Sequence, residues 1–162
     1  MSSLRISLAL GLVGALTTTV VFAQGSYKQH KEQIELTRWS IQSERKTTVE
    51  NNLQLSEQES KAFWPLYDDY RAAMGKVGER TIKLITDYAD AYTKNSLTNE
   101  QALQMVNDSL SIETDKLKVK KRYVKRFQGV LPPKKLARFF QIDNKMDAFI
   151  NAAIAKEVPL VE

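Results

Sequence analysis

The chain has 162 residues, with 24 Lys and Arg against 19 Asp and Glu, so its formal net charge is +5. It has no Cys and a single His, which excludes disulfides, thiol chemistry and Cys- or His-rich metal sites. A chain of this length predicts one domain, large enough to be stabilised by a hydrophobic core alone.

The N-terminal residues have the pattern of a secretory signal peptide. Arg5 precedes an uncharged, mostly apolar run from Ile6 to Phe22, and Val21 and Ala23 supply small residues at the −3 and −1 positions. The sequence therefore predicts residues 1–23 as a cleaved signal peptide, with an uncleaved membrane anchor as the alternative. Export to the periplasm would exclude nucleic acid as a partner and leave acidic lipid, acidic peptide segments or cell-envelope polymers.

A single helical domain is predicted over residues 34–162. Before it, the polar segment 24–33 is predicted to be a flexible arm in which His30 is solvated. The first helix is predicted over residues 34–52, with few apolar positions. Trp39 on this helix is interpreted as a core or dimer contact, with contact to a client polypeptide as the alternative.

A long helix is predicted from Leu55 to Asn95, because apolar residues recur there at alternating steps of three and four. A helix of about 35–40 residues is about 55–60 Å long, so it needs partner helices of similar length to cover its apolar stripe. Ser56 and Glu59 form a capping-box pattern at its start, with Leu55 as the preceding apolar residue. Pro65 predicts a kink in this helix.

The third helix is predicted to begin after a second capping box, made by Thr98 and Gln101 with Leu97 before them, and to end near Gln128. The short connection to the preceding helix predicts a long antiparallel hairpin. The apolar positions at steps of three and four are predicted to be its packing stripe: Leu103, Val106, Leu110, Leu117, Val124 and Phe127.

Gly129, Pro132 and Pro133 interrupt the helical pattern, and Gly129 is expected at the position just after the helix end. A fourth helix is predicted over residues 133–156, followed by an apolar tail. The predicted fold is therefore all-α, an elongated four-helix arrangement in which the second helix is kinked. Such a bent hairpin is expected to leave one face incompletely covered, available to a second subunit or to clients.

The charge is unevenly distributed, since the interval 118–138 has no Asp or Glu. Aromatic residues alternate with its cations, which favours a surface that attracts acidic segments and contacts them with rings. The alternative is that these cations pair with acids on neighbouring helices. The basic residues are Lys118, Lys120, Lys121, Arg122, Lys125, Arg126, Lys134, Lys135 and Arg138.

The LTNEQ motif at 97–101 and its degenerate copy LSEQE at 55–59, together with the signal sequence and the absence of Cys, resemble the Spy/CpxP-like (LTXXQ motif) periplasmic proteins of Gram-negative bacteria. The segments FWPLYDDY and VLPPKKLARFFQIDNKMD are also similar to a related group of uncharacterised exported helical proteins. The resemblance implies a small cradle-shaped helical protein, often a dimer. It also implies an ATP-independent chaperone for unfolded periplasmic proteins or an accessory repressor of an envelope-stress sensor.

The leading hypothesis is a periplasmic chaperone-like protein that holds non-native envelope polypeptides on an apolar and basic face. The alternative is an accessory regulator that docks on the periplasmic domain of a membrane sensor. Because the sequence has no Ser–His pairing, metal-ligand pattern or Gly-rich phosphate loop, no enzymatic activity, metal or cofactor is expected. The predicted client contacts are Lys121, Arg122, Lys125, Arg126, Phe63, Trp64, Tyr67, Phe139 and Phe140.

Overall fold

A computed structural model describes the chain over residues 43–161. Within this range the protein forms four helices and no strand, which confirms the all-α class. The helices are α1 (residues 43–53), α2 (Glu57–Thr93), α3 (Asn99–Phe127) and α4 (Pro133–Glu157). The predicted signal peptide (1–23), the polar arm (24–33) with His30, and Trp39 lie outside the described residues.

Helix α2 starts with reciprocal capping bonds. The Ser56 hydroxyl accepts from the Glu59 N–H at 3.2 Å, and the Glu59 carboxylate accepts from the Ser56 N–H at 2.7 Å. Leu55, just before them, packs against the core. The helix then continues for 37 residues through Pro65, so this proline does not end it. The kink expected at Pro65 stays a prediction.

The turn between α2 and α3 stops α2 with a Schellman-type arrangement. Asn95 has a φ of 48°, the left-handed conformation that Asn tolerates better than most residues. The Asn95 N–H donates to the Tyr92 carbonyl and the Ser96 N–H donates to the Ala91 carbonyl, both at 3.0 Å. These bonds satisfy two of the last carbonyls of α2 and reverse the chain direction.

Helix α3 also begins with a capping box. The Thr98 hydroxyl accepts from the Gln101 N–H at 3.2 Å, and the Gln101 side chain accepts from the Thr98 N–H at 2.9 Å. Leu97 before them is half-buried. Each capping residue therefore satisfies backbone donors that the helix itself cannot pair.

Gly129 follows the C-cap residue Gln128 of α3, which is the position expected for it just after the helix end. No described glycine has a positive φ, so this turn does not use the left-handed conformation. The turn is instead closed by short-range bonds. The Gly129 N–H donates to the Arg126 carbonyl at 3.1 Å, and the Val130 N–H donates to the Phe127 carbonyl at 3.0 Å. Pro133 is the first residue of α4, where a missing N–H costs nothing.

Helices α2 and α3 form the predicted antiparallel hairpin. Near the α2–α3 turn, Arg80 pairs with Asp115. Further from the turn, the Tyr123 hydroxyl donates to the Asp69 carbonyl at 3.1 Å. Lower residue numbers in α2 therefore contact higher residue numbers in α3, so the two helices are antiparallel.

Helix α4 runs parallel to α2, and α1 runs antiparallel to both. Glu59 pairs with Lys135 at 2.6 Å, and the Tyr70 hydroxyl donates to Asp143 at 2.7 Å, so both numbers rise together. In α1, Arg45 bonds Asp143 at 2.7 Å, and Lys135 donates to the carbonyl of Gln54, just after α1. Higher residue numbers near α1 thus contact lower ones in α4. The four helices therefore alternate in direction, as in an up-down-up-down arrangement.

The main hydrophobic core lies at the end of the hairpin far from the α2–α3 turn. Phe63, Phe127 and Phe139 have no exposed surface there, and their ring centroids lie 4.8–5.3 Å apart. Burying one such side chain contributes roughly 1.5–3 kcal/mol. We call this part of the bundle the core end. It consists of Val49, Leu53, Phe63, Leu66, Tyr67, Tyr70, Met74, Tyr123, Phe127, Leu131, Leu136 and Phe139.

The opposite part of the hairpin, which we call the distal hairpin, comprises α2 after Val77 and α3 before Asp115. Among its described hydrophobic residues only Tyr88 and Ile112 are buried. The Tyr88 hydroxyl also donates to the Pro159 carbonyl at 3.0 Å, so the tail that follows α4 reaches this region. The distal hairpin is consequently held by far less buried apolar surface than the core end.

Candidate functional site

The outer face of α3 carries the largest run of exposed apolar side chains in the described part of the chain. Leu103, Val106, Leu110 and Leu117 are 64%, 56%, 63% and 52% exposed. They follow one another at helical steps of three, four and seven, so they lie on one face. We call these four residues the α3 stripe.

The α3 stripe corrects the packing face expected from the sequence. Those four positions were expected to pack inside the bundle, but they face solvent. The buried side of α3 instead carries Ile112, Tyr123 and Phe127, with Met105 and Val119 half-buried. Both faces are apolar at helical spacing, so periodicity alone could not decide which of them meets α2.

The predicted aromatic contacts also need correction. Phe63, Tyr67 and Phe139 are 0%, 2% and 0% exposed, which places them inside the core and out of reach of a client in this structure. Trp64 and Phe140 are half-buried, and both pack against that core. The physical reason is that all four helices converge at the core end, where these rings fill the space between them.

The four predicted basic contacts divide into two groups. Lys121, Arg122 and Lys125 are exposed and make no ion pair with any described residue. Arg126 instead pairs with Asp69 at 3.1 Å. The guanidinium groups of Arg122 and Arg126 both lie near the Tyr123 ring, at 5.2 and 4.9 Å from its centroid. These contacts orient the two arginines but leave the charge of Arg122 available to solvent.

The remaining basic residues of the interval 118–138 show that the internal-pairing alternative also applies in part. Lys120 bonds the Asp147 carboxylate at 2.8 Å, Lys135 bonds Glu59, and Lys118 pairs with its neighbour Asp115 at 3.0 Å. The cations that form no ion pair with a described residue are Lys121, Arg122, Lys125, Lys134 and Arg138.

A shallow apolar groove lies between the end of α3 and the start of α4, with a volume of about 490 Å³. Its floor includes Leu131 and Leu136, which are buried and belong to the core end. Gln128 is its single polar lining residue. We call it the α3–α4 groove, and its lining residues are Val124, Gln128, Leu131, Pro133, Leu136, Ala137 and Phe140.

The α3 stripe leads into this groove along one helix face. After Leu117, the steps of four, three and four reach Lys121, Val124 and Gln128, and the last two line the groove. Residues three and four apart on a helix are surface neighbours. The outer face of α3 therefore carries apolar side chains from Leu103 to Val124, interrupted by the exposed Glu113 and Thr114 and by the unpaired cation Lys121.

A buried ionic cluster joins the helices, and it was not predicted from the sequence. Asp143 and Arg45 are each 1% exposed, and Arg45 also bonds Asp147 at 2.8 Å. Asp143 accepts from Tyr70 at 2.7 Å and lies 3.6 Å from Lys120. Its position four residues after Phe139, in line with the core face of α4, is the signal that could have identified a buried carboxylate.

Burial and charge act together on the pKa values in this cluster. Burial would lower the pKa of the Arg45 guanidinium, but the charges of Asp143 and Asp147 outweigh it, so that pKa lies above its ordinary value. Burial would likewise raise the pKa of Asp147, yet the bond from Lys120 and the charge of Arg45 hold it below the usual range. For Tyr70, burial and the Asp143 charge both raise the pKa. These directions keep the Arg45–Asp147 pair charged and Tyr70 neutral at neutral pH.

No described group of His, Asp or Glu residues is arranged to hold a metal ion. Within the described helices, none is long and apolar enough to cross a membrane. Comparison of the chain with protein-family models, with curated proteins and with solved structures gave no match, so the resemblance to the Spy/CpxP-like proteins stays a prediction from the sequence.

Proposed function

We propose that the protein is an ATP-independent, chaperone-like binding protein of the bacterial periplasm, which holds non-native polypeptides on the outer face of α3. The α3 stripe is the single observation that carries this proposal. Leu103, Val106, Leu110 and Leu117 are each more than half exposed. An exposed apolar surface of this kind marks an interaction site more often than an accident of composition.

Non-native polypeptide fits this surface because the stripe lies on a helix with no enclosing pocket around it. A flat apolar face excludes few sequences, so it suits partners that share exposed hydrophobic residues and little else. The unpaired cations Lys121, Arg122 and Lys125 follow the stripe along α3 and would attract acidic segments from a distance. Apolar contact would then hold the segment at short range.

The test is the suppression of aggregation of a chemically unfolded client by the purified protein. The variant Leu103→Gln/Leu110→Gln/Leu117→Gln keeps helix propensity but removes most of the stripe. We expect it to lose most of the protection, while its circular dichroism and unfolding midpoint stay close to those of the parent.

Phe149→Gln is the matched control, since Phe149 is 68% exposed on α4 and lies outside the stripe. It should protect the client as well as the parent protein does. Absence of protection by the parent at several-fold molar excess, or equal protection by the stripe variant, would contradict the proposal.

A second candidate function, an accessory regulator that docks on the acidic periplasmic domain of a membrane sensor, is supported by the same unpaired cations. Its signature is one stoichiometric membrane partner in a pull-down. That partner should be lost on Lys121→Glu/Arg122→Glu/Lys125→Glu and kept by the stripe variant. Many weakly retained polypeptides, lost with the stripe variant, would favour the chaperone-like function instead.

A further inference from the structure

We propose that the α3–α4 groove binds an apolar side chain from an acidic polypeptide segment. The protein would then prefer clients in which large apolar residues alternate with Asp or Glu. This inference rests on the proposed function, because it names the class of polypeptide that the outer face of α3 takes.

The groove has the form that such a side chain requires. Its volume of about 490 Å³ is large enough to take one large side chain on an open, mostly apolar surface. Leu131 and Leu136 form a floor that is already packed into the core end, so the groove does not have to be opened by a partner. Gln128 offers one amide to the backbone of a bound segment. An apolar side chain would lose its contact with water here at little conformational cost to the protein.

Three cations border the groove. Lys121 and Lys125 lie one turn before the lining residues Val124 and Gln128, and Lys134 lies one turn before the lining residue Ala137. All three are exposed and form no ion pair with a described residue.

The chain itself offers no acid close in sequence to neutralise them, because there is no Asp or Glu between Asp115 and Asp143. The carboxylates of Asp69 and Glu59 on α2 are already bonded to Arg126 and Lys135. The rim therefore carries positive charge that an acidic partner would complement.

The length of the partner segment follows from the α3 face. From Leu103 to Gln128 the helix rises about 38 Å at about 1.5 Å per residue. An extended polypeptide covers that distance with about 12 residues at roughly 3.3 Å each. A segment of this length can lie along the α3 stripe, pass Lys121 and place one apolar side chain in the groove.

The N-terminal part of this chain lacks the charge that the groove rim would attract. Residues 24–42 contain three basic residues, Lys28, Lys31 and Arg38, against two acidic residues, Glu32 and Glu35. A segment with a net positive charge is a poor match for a rim of three lysines. Charge complementarity thus favours a separate, acidic polypeptide.

The test is the fluorescence anisotropy of a labelled 12-residue peptide in which Asp and Leu alternate, measured with the full purified protein. Two comparison peptides carry Lys in place of Asp or Ser in place of Leu. We expect the Asp–Leu peptide to bind at least about tenfold more tightly than either, because it alone satisfies both the rim and the groove. Equal affinity for the three peptides would overturn the inference.

The groove itself is tested with Ala137→Trp, which fills it from an exposed position. Ala148→Trp is the matched control, because Ala148 is exposed on the same helix and does not line the groove. Ala137→Trp should weaken binding of the Asp–Leu peptide by about tenfold, while Ala148→Trp should leave it unchanged. Unchanged affinity in both variants would place the binding elsewhere and overturn the inference.

The rim is tested with Lys125→Glu/Lys134→Glu against Lys76→Glu/Lys145→Glu, which makes the same change in net charge at other exposed lysines. Only the Lys125→Glu/Lys134→Glu variant should weaken binding of the Asp–Leu peptide by about tenfold at low salt. It should also remove most of the salt dependence of that affinity. Equal losses of affinity in both double variants would show a non-specific charge effect. That result would contradict the proposal that the rim lysines bind the acidic residues of the peptide.

Vesicles containing phosphatidylglycerol separate a lipid ligand from a polypeptide. Vesicle binding that is abolished by Ala137→Trp, with peptide binding untouched, would identify an anionic lipid and overturn the inference.

Aggregation suppression distinguishes the two proposals. If the protein protects clients through the α3 stripe but shows no peptide preference, only the inference about the groove is contradicted. A protein that binds the Asp–Leu peptide in the groove but protects no client contradicts only the chaperone-like function.

Discussion

The carboxylate of Asp143 contacts a side chain from each of the other three helices. Arg45 on α1 and Tyr70 on α2 each bond it at 2.7 Å, and Lys120 on α3 lies 3.6 Å away. Arg71 on α2 also lies 3.4 Å from this carboxylate. Arg45 Nε and Arg71 Nε are buried without a hydrogen-bond partner among the described residues, so the cluster is not fully satisfied. A partly satisfied buried cluster adds little net stability, but removing one member leaves the others without compensation. Its main effect is to fix how the helices sit against one another.

Asp143→Asn tests that role at the residue scale. We expect the free energy of unfolding to fall by up to about 3–5 kcal/mol, because the buried guanidinium of Arg45 loses one of its two charged partners and keeps only Asp147. Urea unfolding followed by circular dichroism measures the loss. Asp68→Asn is the control, since the Asp68 side chain is 63% exposed and pairs with Lys46 only at 3.5 Å, and it should change stability by about 1 kcal/mol or less. Similar losses in both variants would show that the buried cluster does not anchor α1.

At the scale of one element, α3 has two apolar faces with different roles. The inner face, with Ile112, Tyr123 and Phe127, joins the helix to the bundle. The outer face carries the α3 stripe and leads to the groove. Local chemistry sets the ends of α3. Thr98 and Gln101 start it, and the Pro133 that opens α4 follows soon after it ends.

The start of α2 offers the sharpest test of such local chemistry. Ser56→Ala removes the hydroxyl that accepts from the Glu59 N–H, and we expect it to lower the free energy of unfolding by about 1 kcal/mol. Ser109→Ala, at an exposed position inside α3, should leave stability unchanged or raise it slightly, because Ala is the better helix former. Thermal unfolding of the two Ser→Ala variants compares them directly. Equal shifts would mean that the capping box contributes nothing measurable to the folded protein.

At the scale of the whole molecule, the two ends of the bundle differ in how they are held together. The core end brings all four helices around Phe63, Phe127 and Phe139. The distal hairpin has Tyr88 and Ile112 as its buried hydrophobic residues among those described, and the exposed ion pair of Arg80 and Asp115 lies at its boundary. Local opening is easiest where few apolar contacts are buried. The surface proposed to bind clients thus begins on the part of the molecule that is least constrained.

Native-state hydrogen exchange should show this difference. We expect amides in residues 80–110 to exchange through local opening, at a lower free energy than amides near Phe63, Phe127 and Phe139. Exchange measured by mass spectrometry on peptic fragments resolves the two regions. Uniform protection along α2 and α3 would mean that the hairpin opens as one unit with the core end.

The sequence by itself determined the order of the helices and the ends of α2, α3 and α4. Capping residues, prolines and the spacing of apolar residues act over a few positions, so they can be recognised without knowing the fold. The all-α hairpin and the bounds of α2, α3 and α4 were predictable for that reason. The free charge of Lys121, Arg122 and Lys125 agrees with the predicted basic surface, but the sequence could not separate these cations from Arg126 or Lys135, which pair internally.

Only the tertiary structure decided which apolar face is covered. Phe63, Tyr67 and Phe139 were predicted to contact clients but lie in the core, whereas Leu103, Val106 and Leu110 were expected inside and lie outside. Two faces of one helix can have equal apolar periodicity, and the choice between them depends on the combined packing of α1, α2 and α4. The burial of Asp143 and the α3–α4 groove have the same origin, because both are made by residues that are distant in sequence and meet only when four helices converge.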